Sequence, residues 1–135
     1  MRDVLAGRLV ALAAGALLAG VFAFAATSRS RDTATTLPEP VGSYTARAGS
    51  SGPSAIGKKT ACGGVIRADT EGVAHPVLPC GARIYVTYGD TTVLVQVVDR
   101  GPSTPGREFD LTDALARRLG LRGVQQIGWS YARSR

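Results

Sequence analysis

The stretch "TTVLVQVVD", Thr91 to Asp99, is a β-branched run that ends in Asp99-Arg100 and turns at Gly101-Pro102. Successive strand residues face opposite sides, so Asp99 falls on the face of Val93, Val95 and Val97. A carboxylate among such neighbours loses hydration, which raises its pKa and lets it carry a proton near neutral pH. That is the raw material of general acid and base catalysis. The competing reading is structural: Asp99 accepts backbone N–H bonds from the loop Gly101 to Gly106. Arg100 falls on the opposite face with Leu94, Gln96 and Val98. It is expected to pair with Asp110 and brace that loop, because a buried guanidinium needs a carboxylate.

Other chemistries lack their parts. With one histidine, two cysteines and no CxxC, the chain has no plausible zinc ligand set. Gly63-Gly64 is too short for a phosphate loop. Ser50, Ser51 and Ser54 have no supporting triad signal. No cofactor is expected.

The elements that must position Asp99 are strands. "ARIYVTY", Ala82 to Tyr88, alternates Ile84, Val86 and Tyr88 against Arg83, Tyr85 and Thr87, which predicts a half-buried strand. Gly89-Asp90 is a two-residue turn with glycine first, suited to type II′, and Thr91 to Asp99 returns as the second strand of a hairpin. That second strand is apolar on both faces, as expected at the centre of a sheet or barrel. Leu111, Leu115 and Leu119 give a helical stripe, with Thr112 as N-cap, Arg117 and Arg118 in the last turn and Gly120 at C′. Ile127, Trp129 and Tyr131 alternate in a closing strand. Short strands without helical crossovers predict a small β-barrel.

The N-terminus reads differently. Arg2 and Arg8 precede an uncharged run of 18 residues, Leu9 to Ala26, that contains Ala23-Phe24-Ala25. This predicts a signal peptide over 1–25, or alternatively an uncleaved membrane anchor. Residues 26–43, rich in Ser, Thr and Pro, read as a linker, and 44–133 as the domain, with Gly49 to Pro53 a loop. Both leader readings export the domain.

In such a compartment Cys62 and Cys80 are expected to form a disulfide rather than a reactive thiol. The loop they would close stabilises by roughly 3 kcal/mol on the chain-entropy view. The net charge of +6, or +5 once 1–25 is removed, suits an anionic surface such as a cell wall or a membrane face. Nucleic acid fits less well, because the basic residues are scattered and the few aromatics do not interleave with them.

"AHPVLPCGARIYVTY" followed by "VLVQVVDRGPSTPGREFDLTDALARRLG" resembles the rare lipoprotein A-like (RlpA-like) double-psi β-barrel family, related to expansin and barwin-like barrels. The resemblance spans roughly Thr60 to Tyr131. It implies a mainly β, six-stranded double-psi barrel with one short helix, acting on peptidoglycan glycan strands outside the cytoplasm; the domain is expected to be a monomer. Some members are lytic transglycosylases. The family's catalytic Asp corresponds to Asp99 and its active-site His to His75, which could orient Asp99 or bind sugar hydroxyls. Tyr85, Tyr88, Trp129 and Tyr131 could stack on sugar rings, or simply be core, and Arg100 could also touch substrate. Where active members often read "TASGE", this chain reads Thr60-Ala61-Cys62-Gly63-Gly64, with Gly64 at the Glu position. That departure keeps open a non-catalytic, expansin-like module that binds or loosens wall polysaccharide. No lipobox cysteine ends the leader. A Cys62–Cys80 bridge would staple the loop bearing His75 to the barrel.

Overall fold

The computed structural model describes residues 36–134. The leader expected over 1–25 and most of the linker lie outside the described residues. The described chain forms strands β1 (Glu39–Ser50), β2 (Gly72–Ala74), β3 (Arg83–Tyr88), β4 (Thr91–Asp99), β5 (Phe109–Leu111) and β6 (Gln125–Arg133), with helix α1 (Asp113–Leu119) between the last two. The strands close into a barrel in the order β1-β5-β2-β4-β3-β6. This is the six-stranded, one-helix barrel that the family resemblance implies, and the small β-barrel that the strand pattern predicts.

The period-two pattern sets the inside of the barrel. In the β3–β4 hairpin Ile84 lies opposite Val95 and Val86 opposite Val93, and all four are buried. Gly89 takes φ 58° at the turn, which a residue with a Cβ adopts only at a cost. Ile127 on β6 and Phe109 and Leu111 on β5 complete the core. On the outer face of β4, Gln96 is exposed and Leu94 and Val98 are only partly buried.

β1 begins at Glu39 and runs through Gly49, so the barrel starts inside the segment expected as linker and takes up part of the expected loop. The polar, proline-containing composition conceals a strand whose order comes from a distant partner. Glu39 pairs with Arg133, Val41 with Tyr131 and Tyr44 with Trp129, and a bulge between Val41 and Tyr44 absorbs the extra residues. β5 covers β1 only at Ala48 to Ser50. Pro40 therefore sits where one side of the strand has no ladder to satisfy, a position proline tolerates.

β2 and β5, three residues each, lie side by side and antiparallel, with Ala74 opposite Asp110. Each also pairs in parallel with a longer strand: β2 with β4 and β5 with β1. Helix α1 follows β5 directly. Thr112 occupies its N-cap position, but its hydroxyl accepts the Gly72 N–H at 3.1 Å instead of capping the helix. The helix start is thereby tied to β2. Gly120 ends the helix in the left-handed region, as its sequence position predicts.

Candidate active site

Asp99 is the last residue of β4, and the strand is irregular just before it. Val73 pairs with Val97, but the next β2 residue, Ala74, pairs with Asp99. Val98 is the extra residue of a bulge, so the valine alternation does not carry through to Asp99 as the sequence predicts. The carboxylate lies half-buried in a cleft of about 120 Å³ between the barrel wall and the long β1–β2 connection. Ala74, Val98, Arg100, Asp110 and Thr112 form one wall, and Lys58, Lys59 and Ile66 face them from the connection. Asp99 Oδ1 accepts the Ala61 N–H and the Arg100 N–H, both at 2.8 Å. The expected donors, in the loop after Gly101, are thus replaced by a residue 38 positions upstream and by the next residue in the chain.

Asp110 shares this cleft, a placement that sequence spacing does not reveal. Its partner is Arg107, three residues earlier, with Nε and Oδ1 2.8 Å apart. The N–H is not aimed along that line, so the contact is an ion pair without a hydrogen bond. Arg107 reaches it by lying over Gly49, where an added Cβ would come within 2.5 Å of the guanidinium. Burial raises the Asp110 pKa above its ordinary 3.8; Arg107 opposes the rise and the nearby Asp99 charge adds to it.

Arg100 does not pair with Asp110. Its guanidinium donates to the carbonyls of His75 at 3.1 Å and Leu78 at 2.7 Å. Carbonyl oxygens crowded by a tight turn supply the acceptors that the sequence argument assigned to a carboxylate. The brace falls on the turn carrying His75, not on the loop before α1.

His75 follows β2, and its backbone N–H donates to the Asp99 carbonyl at 3.2 Å. Its Nδ1 accepts the N–H groups of Val77 at 3.2 Å and Leu78 at 3.0 Å. That places the ring proton of the neutral form on Nε2. The ring packs on Phe109 with centroids 4.7 Å apart. Burial lowers the His75 pKa below 6.5, Glu108 partly offsets this and Arg100 adds to it. At neutral pH His75 is an uncharged imidazole able to donate from Nε2.

The aromatic candidates scatter. Trp129 stacks on Tyr44 at 4.6 Å and meets Tyr131 edge-on at 5.2 Å. Among the ring contacts of the described residues, Phe109 links it to His75. Tyr85 donates its hydroxyl to the Pro38 carbonyl at 2.5 Å, and Tyr88 packs against the core at the hairpin end. Neither lines the Asp99 cleft.

Cys62 and Cys80 are bonded, as expected. The disulfide lines a second hollow of about 400 Å³, whose other walls include Gly63, Gly64 and Gly81. The two hollows share Ile66 and Val98. A Cβ on Gly64 would meet nothing nearer than the Thr60 hydroxyl, at 3.8 Å, so the position has room for a side chain. Among the described residues no group of three His, Cys, Asp or Glu side chains could hold a metal ion, and no helix is long and apolar enough to cross a membrane.

Comparison with known proteins gives this geometry a context. The sequence profile of the family described as "Lytic transglycolase" matches residues 47–129. The endolytic peptidoglycan transglycosylase RlpA of Yersinia pestis is 41% identical over 82 residues, covering 59% of this chain and 23% of that protein. The probable endolytic peptidoglycan transglycosylase RlpA of Synechocystis is 39% identical over 72 residues, 52% of this chain and 22% of that one. The chain thus spans less than a quarter of the length of these two relatives. Among solved structures, the Streptomyces papain inhibitor superposes with a TM-score of 0.56 at 28% identity, covering 71% of this chain and 99% of that one.

Proposed function

Because the chain belongs to the lytic transglycolase family of double-psi β-barrels, we propose that its barrel is exported and cleaves peptidoglycan glycan strands as a lytic transglycosylase, with Asp99 as acid and then base. The observation that carries this reading is the Asp99 carboxylate at the cleft wall, held through one oxygen by two N–H donors, with a second carboxylate, Asp110, in the same cleft. In the reaction Asp99 protonates the departing glycosidic oxygen as the bond from C1 breaks. The muramic 6-hydroxyl then attacks C1 and returns its proton to Asp99, leaving a 1,6-anhydromuramic end and a free 4-hydroxyl. No water is consumed. One carboxyl group suffices for both proton transfers. His75, neutral and with Nε2 bearing its proton, is suited to donate to a sugar oxygen.

The experiment is digestion of glycan strands stripped of stem peptides, read by mass spectrometry. Anhydromuramic products from the wild-type domain, and none from Asp99→Asn, are expected.

A second reading is favoured by Gly64, which stands where active relatives often carry Glu: a non-catalytic module that binds or loosens wall polysaccharide. The Streptomyces papain inhibitor has the same kind of barrel, and its name states a protein target in place of a glycan. Co-sedimentation with glycan strands without product formation would select this second reading.

A further inference from the structure

The β1–β2 connection carries a small hairpin over residues 57–66. Gly57 N–H donates to the Ile66 carbonyl at 2.7 Å, Ile66 N–H to the Lys58 carbonyl at 3.0 Å and Thr60 N–H to the Gly64 carbonyl at 2.8 Å. Gly63 N–H closes the tip on the Thr60 carbonyl at 3.2 Å. These bonds shape the tip but do not fix where it sits on the barrel. Among the described residues, two hydrogen-bonded or covalent links do that for Thr60 to Gly64: the Ala61 N–H on Asp99 Oδ1 and the Cys62–Cys80 disulfide.

The links are not equal in strength. Ala61 is exposed, and an exposed hydrogen bond competes with water and holds little by itself. A covalent tether at the next residue keeps the N–H at high effective concentration beside its acceptor. The far end of the tether is equally well anchored: Gly81, next to Cys80, donates its N–H to the Val97 carbonyl at 2.8 Å, two residues before Asp99. Tip and acid are therefore fixed to one strand. Both donors to Asp99 converge on Oδ1. Among the described residues Oδ2 accepts no hydrogen bond, which leaves it as the oxygen available to a substrate.

We propose that the Cys62–Cys80 disulfide is a positioning element for Asp99, holding the Ala61 N–H on Oδ1 so that Oδ2 is the oxygen presented for proton transfer. The proposal rests on the reading of Asp99 as acid and base. It assigns the disulfide an effect on turnover separate from its effect on stability.

Two perturbations test it from opposite directions. Reduction by a dithiol, or the Cys62→Ser/Cys80→Ser pair, removes the tether and leaves the Ala61 N–H in the chain. Ala61→Pro removes the N–H and leaves the tether; Ala61 is the second residue of its turn, where proline is favoured. Each is expected to lower kcat about tenfold or more with KM within roughly threefold, as for a misplaced reacting group. Applied together they should cost little more than either alone. Hydrogen exchange at the Ala61 amide should accelerate by about tenfold or more on reduction, as expected of local opening.

Unchanged Ala61 exchange after reduction would overturn the proposal, and so would a kcat indifferent to both perturbations. Absence of anhydromuramic product from the oxidised wild type would instead defeat the proposed activity. The exchange comparison on the same samples would then still decide whether the disulfide holds the contact.

Discussion

Asp99 and Asp110 stand in one row of the barrel, each on a strand that neighbours Ala74, one to either side. With strands about 4.8 Å apart, their backbones lie roughly 10 Å from each other across β2. Their surroundings differ. Asp99 receives two backbone N–H groups, both on Oδ1. Asp110 is desolvated, has an ion-pair contact without a hydrogen bond, and faces the charge of Asp99. The two carboxyl groups of one cleft thus have unlike environments.

That difference gives Asp110 a pH signature in stability. A carboxyl whose pKa is raised by folding supports the fold below its ordinary pKa of 3.8, and that support is lost as pH rises through the folded value. Asp110→Asn removes the titration. Its stability relative to wild type, measured by urea unfolding, should therefore climb as pH rises from below 3.8. A difference that falls over the same range would refute the desolvated Asp110.

His75 has the opposite sign. Its pKa is lowered by folding, so its contribution is fully present above 6.5 and is lost as pH falls through the folded value. His75→Ala should flatten the wild-type decline in stability below neutral pH. It also takes the acceptor from the Val77 and Leu78 N–H groups, and water can only partly replace it. A loss of about 1 kcal/mol at pH 7 is expected from urea midpoints.

How far the sequence reaches can be judged residue by residue. The hairpin of β3 and β4, the helix with Gly120 behind it, the closing strand around Ile127 and the disulfide were all legible, because each rests on local periodicity, turn chemistry or cysteine arithmetic. β2 and β5 were not: three residues carry no period, and their order comes from partners far along the chain. The start of β1 was hidden by Pro40 and Gly42, which spell linker unless β6 is known to lie alongside. Asp99 in the cleft and His75 beyond β2 could be named as candidates, but not what holds them. The bulge at Val98 broke the alternation argument, Arg100 found carbonyls in place of Asp110, and the Ala61 donor arrives from a non-local loop. Backbone donors leave no mark in side-chain identity.

Gly64 offers a gain-of-function test. The site has space for a Cβ and no left-handed backbone, so Gly64→Glu should fold with stability within about 0.5 kcal/mol of wild type. It places a carboxylate on the hairpin tip beside the cleft, at the position that the resemblance aligns with the Glu of the family's active members. If the proposed chemistry is limited by that missing group, anhydromuramic product should rise by about tenfold or more, in the range of a general acid or base contribution. A folded Gly64→Glu protein with unchanged product yield would show that the glycine does not set the rate.

The barrel end built from Tyr44, Trp129 and Tyr131 rests on a backbone choice at Gly42. That residue has φ 79°, and a Cβ there would lie 2.5 Å from Cε2 of Tyr44, so the Tyr44 ring folds back over a position only glycine leaves clear. Gly42→Ala meets both penalties: the left-handed backbone costs a residue with a Cβ roughly 1–2 kcal/mol, and the ring must move. Because Tyr44 stacks on Trp129, the chain's one tryptophan, intrinsic fluorescence reports the displacement directly. The expected result is a changed emission spectrum and a loss of roughly 1–2 kcal/mol in urea unfolding. Asp99 and its two N–H donors belong to other elements, so Gly42→Ala should leave the Ala61 amide protected from exchange. An unchanged spectrum with full stability would mean that Tyr44 is not held between Gly42 and Trp129.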